Sequence, residues 1–221
     1  MATKRDVIVD LLRRRILSGE IPRGSRLRQD EVAGWFDASI TPVREALHRL
    51  EAEGLVVSEP HRGVRVAGVD VDRVKTIYVK RMLLEPYAMK RAVLRMSRIE
   101  FNALYALLDR LAKAIDQDDR EARNSLTRDF HFYFYERCGM PGLVSEIAAD
   151  WDAFPWDLTL DDSSRADQSH NEHLAIVESA RCIDVEAVAK LLEDHIRHGV
   201  ERLFEALTRD DFKDPFLLEN D

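Results

Sequence analysis

The chain has 221 residues, with 33 Lys and Arg against 41 Asp and Glu for a formal net charge of −8, and 45% of its residues are hydrophobic. That length suits one large domain or two small ones, and the charge excludes a protein that is basic throughout. No apolar run reaches membrane-spanning length, MATKRDVIVD lacks a signal-peptide pattern, and two cysteines are too few for a disulfide framework, so a cytoplasmic chain with no membrane partner is expected.

The charge is unevenly spread. Residues 1–68 hold 12 Lys and Arg against 10 Asp and Glu, whereas residues 69–221 hold 21 against 31. An acidic body repels DNA phosphates, but a slightly basic head can still approach them.

In chain order, DVIVDLLRRRILSGE carries Val7, Ile8, Leu11, Leu12 and Ile16 at helical spacing and stops at Gly19. IPRGSRLRQ reads as a loop punctuated by Pro and Gly. QDEVAGWF predicts a short second helix with Val32, Trp35 and Phe36 facing inward. Thr41 and Pro42 open a third helix, and Gly54 ends it. LVVSEPHRGVRVAGV then predicts a strand over 55–58, a turn through Pro60 and Gly63, and a strand over 64–69.

Helix, helix, turn, helix and hairpin is the order of a winged helix-turn-helix, whose last helix enters the DNA major groove. Thr41 and Arg44 fall on the first turn of that helix, where an arginine can fork onto guanine O6 and N7. His48 and Arg49 lie further along, in reach of bases or phosphate. His61 and Arg62 mark the hairpin tip, where a wing meets the minor groove or backbone. Arg26 and Arg28 precede the second helix as candidate phosphate contacts. On an isolated amphipathic helix such arginines would only solvate an exposed face; the complete element order turns the reading to DNA.

After Asp70 the strand signals cease, and about six helices follow, as expected of an all-helical bundle. The first spans 71–96; Ser97 and Glu100 form a capping box opening the next over 98–116. Further helices are expected over 119–139, 141–158 and 163–182, and Asp184 caps a last one over 185–207. The predicted organisation is therefore a DNA-binding domain over 1–68, an all-helical effector-binding and dimerisation domain over 72–208, and a tail over 209–221.

His131, His173 and His195 fall on three different predicted helices, each among apolar neighbours. Taken singly, such a histidine is a core residue with one hydrogen-bond partner. Three on separate helices of one bundle can also converge to ligate zinc or nickel. Spacing alone leaves both readings open. A metal-dependent hydrolase would need more, and no HExxH, Gly-rich phosphate loop or nucleophile elbow is present.

RLRQDEVAGWFDASITPVREALHRLEAEGLVVSEPHRGVRV resembles the N-terminal domain of GntR-family transcription regulators. VKRMLLEPYAMKRAV, DFHFYFYERCG and NEHLAIVESARCIDVEAVAKLLEDHI are similar to the FCD effector domain that accompanies it in the FadR-like subfamily. The resemblance implies a regulator, a repressor by expectation, that binds a double-stranded, near-palindromic DNA operator as a homodimer and answers to a small carboxylate effector. It also implies a divalent metal held by His131, His173 and His195, with Arg81 of the R..LE pattern aimed into the effector cavity. Two departures stand out. Ile40 replaces an arginine that commonly contacts DNA, and Thr127 replaces the Asp or Asn that usually joins the metal ligands one turn before the first histidine. Asp129 is too close to His131 in sequence to share its helix face. A DNA-binding regulator with a vestigial effector site is the alternative that Thr127 keeps open.

Overall fold

The computed structural model describes residues 3–59, 63–158, 163–208 and 214–216. The chain divides into two compact units, residues 1–70 with 155–157 and residues 71–154 with 158–221.

The first unit holds three helices and a small sheet. Helix α1 (Lys4–Leu17) begins in a reciprocal cap, with the Thr3 hydroxyl accepting from the Asp6 N–H and the Asp6 carboxylate accepting from the Thr3 N–H. Strand β1 (Arg26–Leu27), helix α2 (Gln29–Trp35), helix α3 (Ile40–Ala52) and strands β2 (Val56–Glu59) and β3 (Gly63–Val66) follow. The sheet order is β1-β3-β2, antiparallel throughout, with Val56 opposite Val66 and Arg26 opposite Arg65. Ile8, Leu12 and Ile16 of α1, Val32 of α2, and Val43, Leu47 and Leu50 of α3 close over Leu27, Val56 and Val66 in one apolar core. Truncating a fully buried leucine such as Leu50 to Ala costs about 2–5 kcal/mol. Gly54, at φ 73°, makes the left-handed turn that releases the chain from α3 into β2.

Four expectations for this unit are corrected. Residues 26–27, read as loop, form an edge strand on β3, because the short Arg-Leu pair finds a partner only through the distant hairpin. Trp35 does not face inward: it is exposed, and the Arg15 guanidinium lies 4.6 Å from its ring centroid. Val7 and Leu11 are likewise exposed, and the buried stripe of α1 runs through Val9 instead. Helix α3 starts at Ile40 behind the Ser39 cap, so Arg44 is its fifth residue and opens the second turn.

The second unit is helical among its described residues. Helices α4 (Val71–Val93), α5 (Arg98–Asp116), α6 (Arg120–Tyr135), α7 (Pro141–Ala153), α8 (Ser163–Arg181) and α9 (Val185–Thr208) follow in chain order; the 3-10 turn Trp156–Leu158 lies between α7 and α8 in sequence, and its Trp156 and Asp157 belong to the first unit. Helix α4 packs on α6, α7 and α9, while α5 packs on α6 and α8, and α8 on α9. The Glu100 carboxylate accepts from the backbone N–H and hydroxyl of Ser97, closing the expected start of α5. Asp184 caps α9 by accepting from the Ala187 N–H. Helix α7 stops at Ala153 rather than continuing to 158, where Pro155 removes a backbone donor.

The α8–α9 turn is unusual. The Ile183 N–H donates to the Ala180 carbonyl and the Asp184 N–H to the Ser179 carbonyl, the bonding of a Schellman motif. Glycine ordinarily fills its left-handed position; here Ile183 does, at φ 60°.

Candidate functional site

In the first unit, Val43, Ala46, Leu47 and Leu50 turn one face of α3 into the core. The helical period then presents Thr41, Arg44, His48 and Arg49 outward, all exposed. Arg44 has no ion pair or hydrogen bond among the described residues, so its guanidinium is available to an incoming acceptor. Arg49 is loosely held by Asp6 and Glu53, both at 3.5 Å, and His48 lies 3.6 Å from Glu51. Such exposed pairs contribute little and exchange readily for phosphate. Arg28 is committed more firmly, bonding Asp30 at 2.8 Å. Arg26 is exposed beside Gly63 of β3. His61 and Arg62 lie outside the described residues.

In the second unit, α6, α8 and α9 bring His131, His173 and His195 together, all three buried. One ring nitrogen from each lies within 4.8 Å of the others. His131 Nε2 and His173 Nε2 are 3.1 Å apart. Burial, which penalises the imidazolium, pushes all three histidines below their ordinary value, and mutual repulsion adds to this at His131 and His173. They are therefore neutral, the form that ligates a divalent ion. The donor set fits zinc or nickel.

Each side of the cluster leans on a carboxylate, buried Glu85 on one side and half-buried Glu172 on the other. Glu85 of α4 accepts from Arg81 Nε at 2.6 Å, Trp151 Nε1 at 2.8 Å and the Tyr135 hydroxyl at 2.6 Å. The Tyr135 oxygen lies 3.2 Å from His131 Nδ1. On the other side, Glu172 of α8 takes His195 Nδ1 at 2.7 Å, His198 Nδ1 at 2.8 Å and Arg165 Nη1 at 2.9 Å. Burial alone would raise the Glu172 carboxyl, but the hydrogen bond from His195 Nδ1 and the charge of Arg165 outweigh it and hold it below the ordinary carboxylate range. His173 Nδ1 is buried with no hydrogen-bond partner among the described residues.

Arg81 is buried and pairs with Glu85, its guanidinium 4.9 Å from the Trp151 ring centroid and 5.1 Å from that of Phe154. Thr127 stands one turn before His131 on α6, half-buried, and Asp129 is exposed. Trp151 packs in the core with its ring 5.0 Å from that of His131, and half-buried Trp156 sits in the 3-10 turn. His170 and His198 are half-buried: His198 serves Glu172, and His170 Nδ1 is buried with no hydrogen-bond partner among the described residues. Tyr135 and Glu172 went unmarked in the sequence. The signals were there in the spacing, since Tyr135 follows His131 by one helical turn and Glu172 precedes His173 directly.

A three-helix head with an antiparallel hairpin, followed by a helical body, defines a winged helix-turn-helix regulator with a helical partner domain. Comparison with known proteins agrees. Residues 4–66 match the family of bacterial regulatory proteins called gntR, and residues 76–198 match the FCD domain. The HTH-type transcriptional regulator BphR of Paraburkholderia xenovorans is 29% identical over 199 residues, covering 86% of this chain and 80% of that protein. The gluconate operon transcriptional repressor of Bacillus subtilis is 39% identical over 82 residues, 37% of this chain and 33% of the repressor. The structure of Escherichia coli McbR (YncC) superposes with a TM-score of 0.80 at 23% identity, covering 93% of this chain and 99% of that one, which shows the shared fold. The chain belongs to the GntR family of transcription regulators that carry an FCD domain. It is a DNA-binding regulator and not an enzyme. Among the described residues no helix is long and apolar enough to cross a membrane.

Proposed function

We propose that this regulator is a repressor that binds its operator as a homodimer and is controlled by a small carboxylate effector meeting a divalent ion at the three histidines. The observation that carries the reading is the convergence of His131, His173 and His195, neutral and buried, with their nitrogens within 4.8 Å. Arg44, Thr41, His48 and Arg49 supply the groove-facing surface of α3, Arg28 a flanking phosphate contact, and His61 and Arg62 a wing contact to the minor groove or backbone. One such head reads too few base pairs for a useful specificity ratio, so two are needed. Repression accords with the similarity to the gluconate operon repressor.

His131, His173 and His195 would hold the ion, zinc or nickel by donor type. When bound, it supplies a concentrated positive charge that no protein carboxylate among the three ligands offsets, which suits an anionic effector. Arg81, already matched by Glu85, shapes the polarity of the wall more than it adds net charge. Thr127 leaves the position before His131 without an anion.

The test combines metal content after dialysis, calorimetry against small carboxylates, and operator release in a gel shift. The reading expects bound metal, heat on carboxylate addition only with metal present, and release of DNA by the same carboxylate. A protein that holds no zinc or nickel and gives no heat with either refutes it. Light scattering checks the dimer, and the mass of a single chain at micromolar concentration would refute that part.

A further inference from the structure

Resting on the metal reading above, we infer that Glu85, through Tyr135, and Glu172, directly, are positioning residues that fix His131 and His195 as their Nδ1–H tautomers, so that both Nε2 lone pairs are ready for the ion, while His173 is the one ligand left free to change tautomer. Hydrogen counting carries the argument. The Tyr135 hydroxyl has one proton and lies 2.6 Å from Oε2 of Glu85, a carboxylate ion-paired with Arg81 whose Oε1 accepts from Arg81 Nε and Trp151 Nε1. Tyr135 therefore donates to Glu85, and its oxygen can only accept at the 3.2 Å contact with His131 Nδ1. That nitrogen carries the proton, and Nε2 of the neutral ring is bare.

The same count holds across the cluster. Glu172 accepts from Arg165, Gln168 and His198 as well as from His195 Nδ1 at 2.7 Å, so His195 Nδ1 carries its proton and Nε2 is bare. His173 differs, because its Nδ1 meets no partner among the described residues. Its Nε2 lies 3.1 Å from the bare Nε2 of His131, and two lone pairs facing each other at that range repel. In the metal-free protein His173 must donate Nε2–H to His131. To serve as a ligand, His173 gives up that Nε2 proton and takes one at Nδ1, with no net change in its charge. Two rings are thus set in advance and the third adjusts. Partners behind metal-bound histidines are typically worth 10–100-fold in metal affinity.

The experiment uses the full chain labelled with 15N-histidine, freed of metal with chelator and then titrated with zinc. Ring 15N spectra are expected to show Nδ1–H at His131 and His195 and Nε2–H at His173, with only His173 exchanging its protonated nitrogen on zinc addition. Tyr135→Phe, which removes one oxygen, should release the His131 tautomer and weaken zinc binding 10–100-fold against a competing chelator. Glu172→Ala should do the same to His195, and Glu172→Gln, whose carbonyl still accepts from Nδ1, should restore most of it. Should Glu172→Ala fail to fold, Tyr135→Phe carries the test alone. Wild-type zinc affinity in a folded Tyr135→Phe, or Nε2–H tautomers at His131 and His195 in the metal-free protein, overturns the inference while leaving the metal site standing. A wild type that binds no zinc overturns the metal reading itself.

Discussion

His131 and His173 come from helices α6 and α8 and place their Nε2 atoms 3.1 Å apart in the buried interior of the second unit. Two neutral rings so close, walled by Phe130 and Trp151, have little reason to remain polar in a core unless something joins them. Core packing alone is served as well by leucine or phenylalanine.

Thr127 tests how charge is shared at this place. Three neutral imidazoles leave a divalent ion its full charge. Thr127→Asp is expected to tighten metal binding by on the order of tenfold, about 1.4 kcal/mol, and to weaken carboxylate binding comparably. His173→Ala, which removes a ligand, lowers both. Metal competition and calorimetry on the two variants measure this; unchanged affinities in Thr127→Asp would place residue 127 outside the ligand sphere.

Arg44 is exposed on the outer face of α3 and unpaired among the described residues. Arg44→Ala is expected to cost about 1–3 kcal/mol in operator affinity and to relax specificity at one base position. Gel shifts against the operator and its point variants read both effects. Wild-type affinity should also fall steeply between low and physiological salt.

Acid should loosen the start of α5. The Ser97 backbone N–H, then Arg137 and the Ser97 hydroxyl, hold the Glu100 carboxyl at about 2, below its ordinary 4.5. A depressed carboxyl contributes its stability in full above the unfolded value and loses it as pH falls toward the folded one. Thermal unfolding of the wild type and Glu100→Gln should therefore differ most above pH 4.5 and converge between 4.5 and 2. A constant gap across that window would count against it.

Ile183 fills a left-handed position that favours glycine, and it is 59% exposed, so little apolar burial is lost when its side chain is removed. The left-handed backbone costs an L-residue about 1–2 kcal/mol, and glycine returns part of that as chain entropy. Ile183→Gly is expected to stabilise the protein by up to about 1 kcal/mol. Chemical denaturation midpoints check the sign.

Most helix limits were legible because apolar period, caps and punctuating residues agreed: Ser97 with Glu100, Asp184, and Pro141 each began a helix where the sequence placed it. The three histidines were legible because apolar neighbours marked each as inward-facing. What escaped was non-local or lacked a side-chain signal. Strand β1 exists only through β3. The turn at Ile183 is drawn by backbone bonds that no glycine announces. Glu172 and Tyr135 owe their importance to what they meet across the bundle, and sequence shows only that each lies one residue or one turn from a histidine.

Trp151 has a consequence for how the molecule can be watched. Its indole lies 5.0 Å from the His131 ring and donates its N–H to Glu85, whereas Trp35 is exposed on the first unit beneath Arg15. Of the chain's three tryptophans, Trp151 stands against the histidine cluster and Trp35 on the DNA-binding head, while Trp156 is half-buried in the 3-10 turn. Nickel taken up at the proposed site is expected to quench Trp151, whose ring lies 5.0 Å from that of His131. Exchanging Trp35 and Trp156 for phenylalanine leaves Trp151 as the one indole reporter, and occupancy is expected to become visible in unlabelled protein.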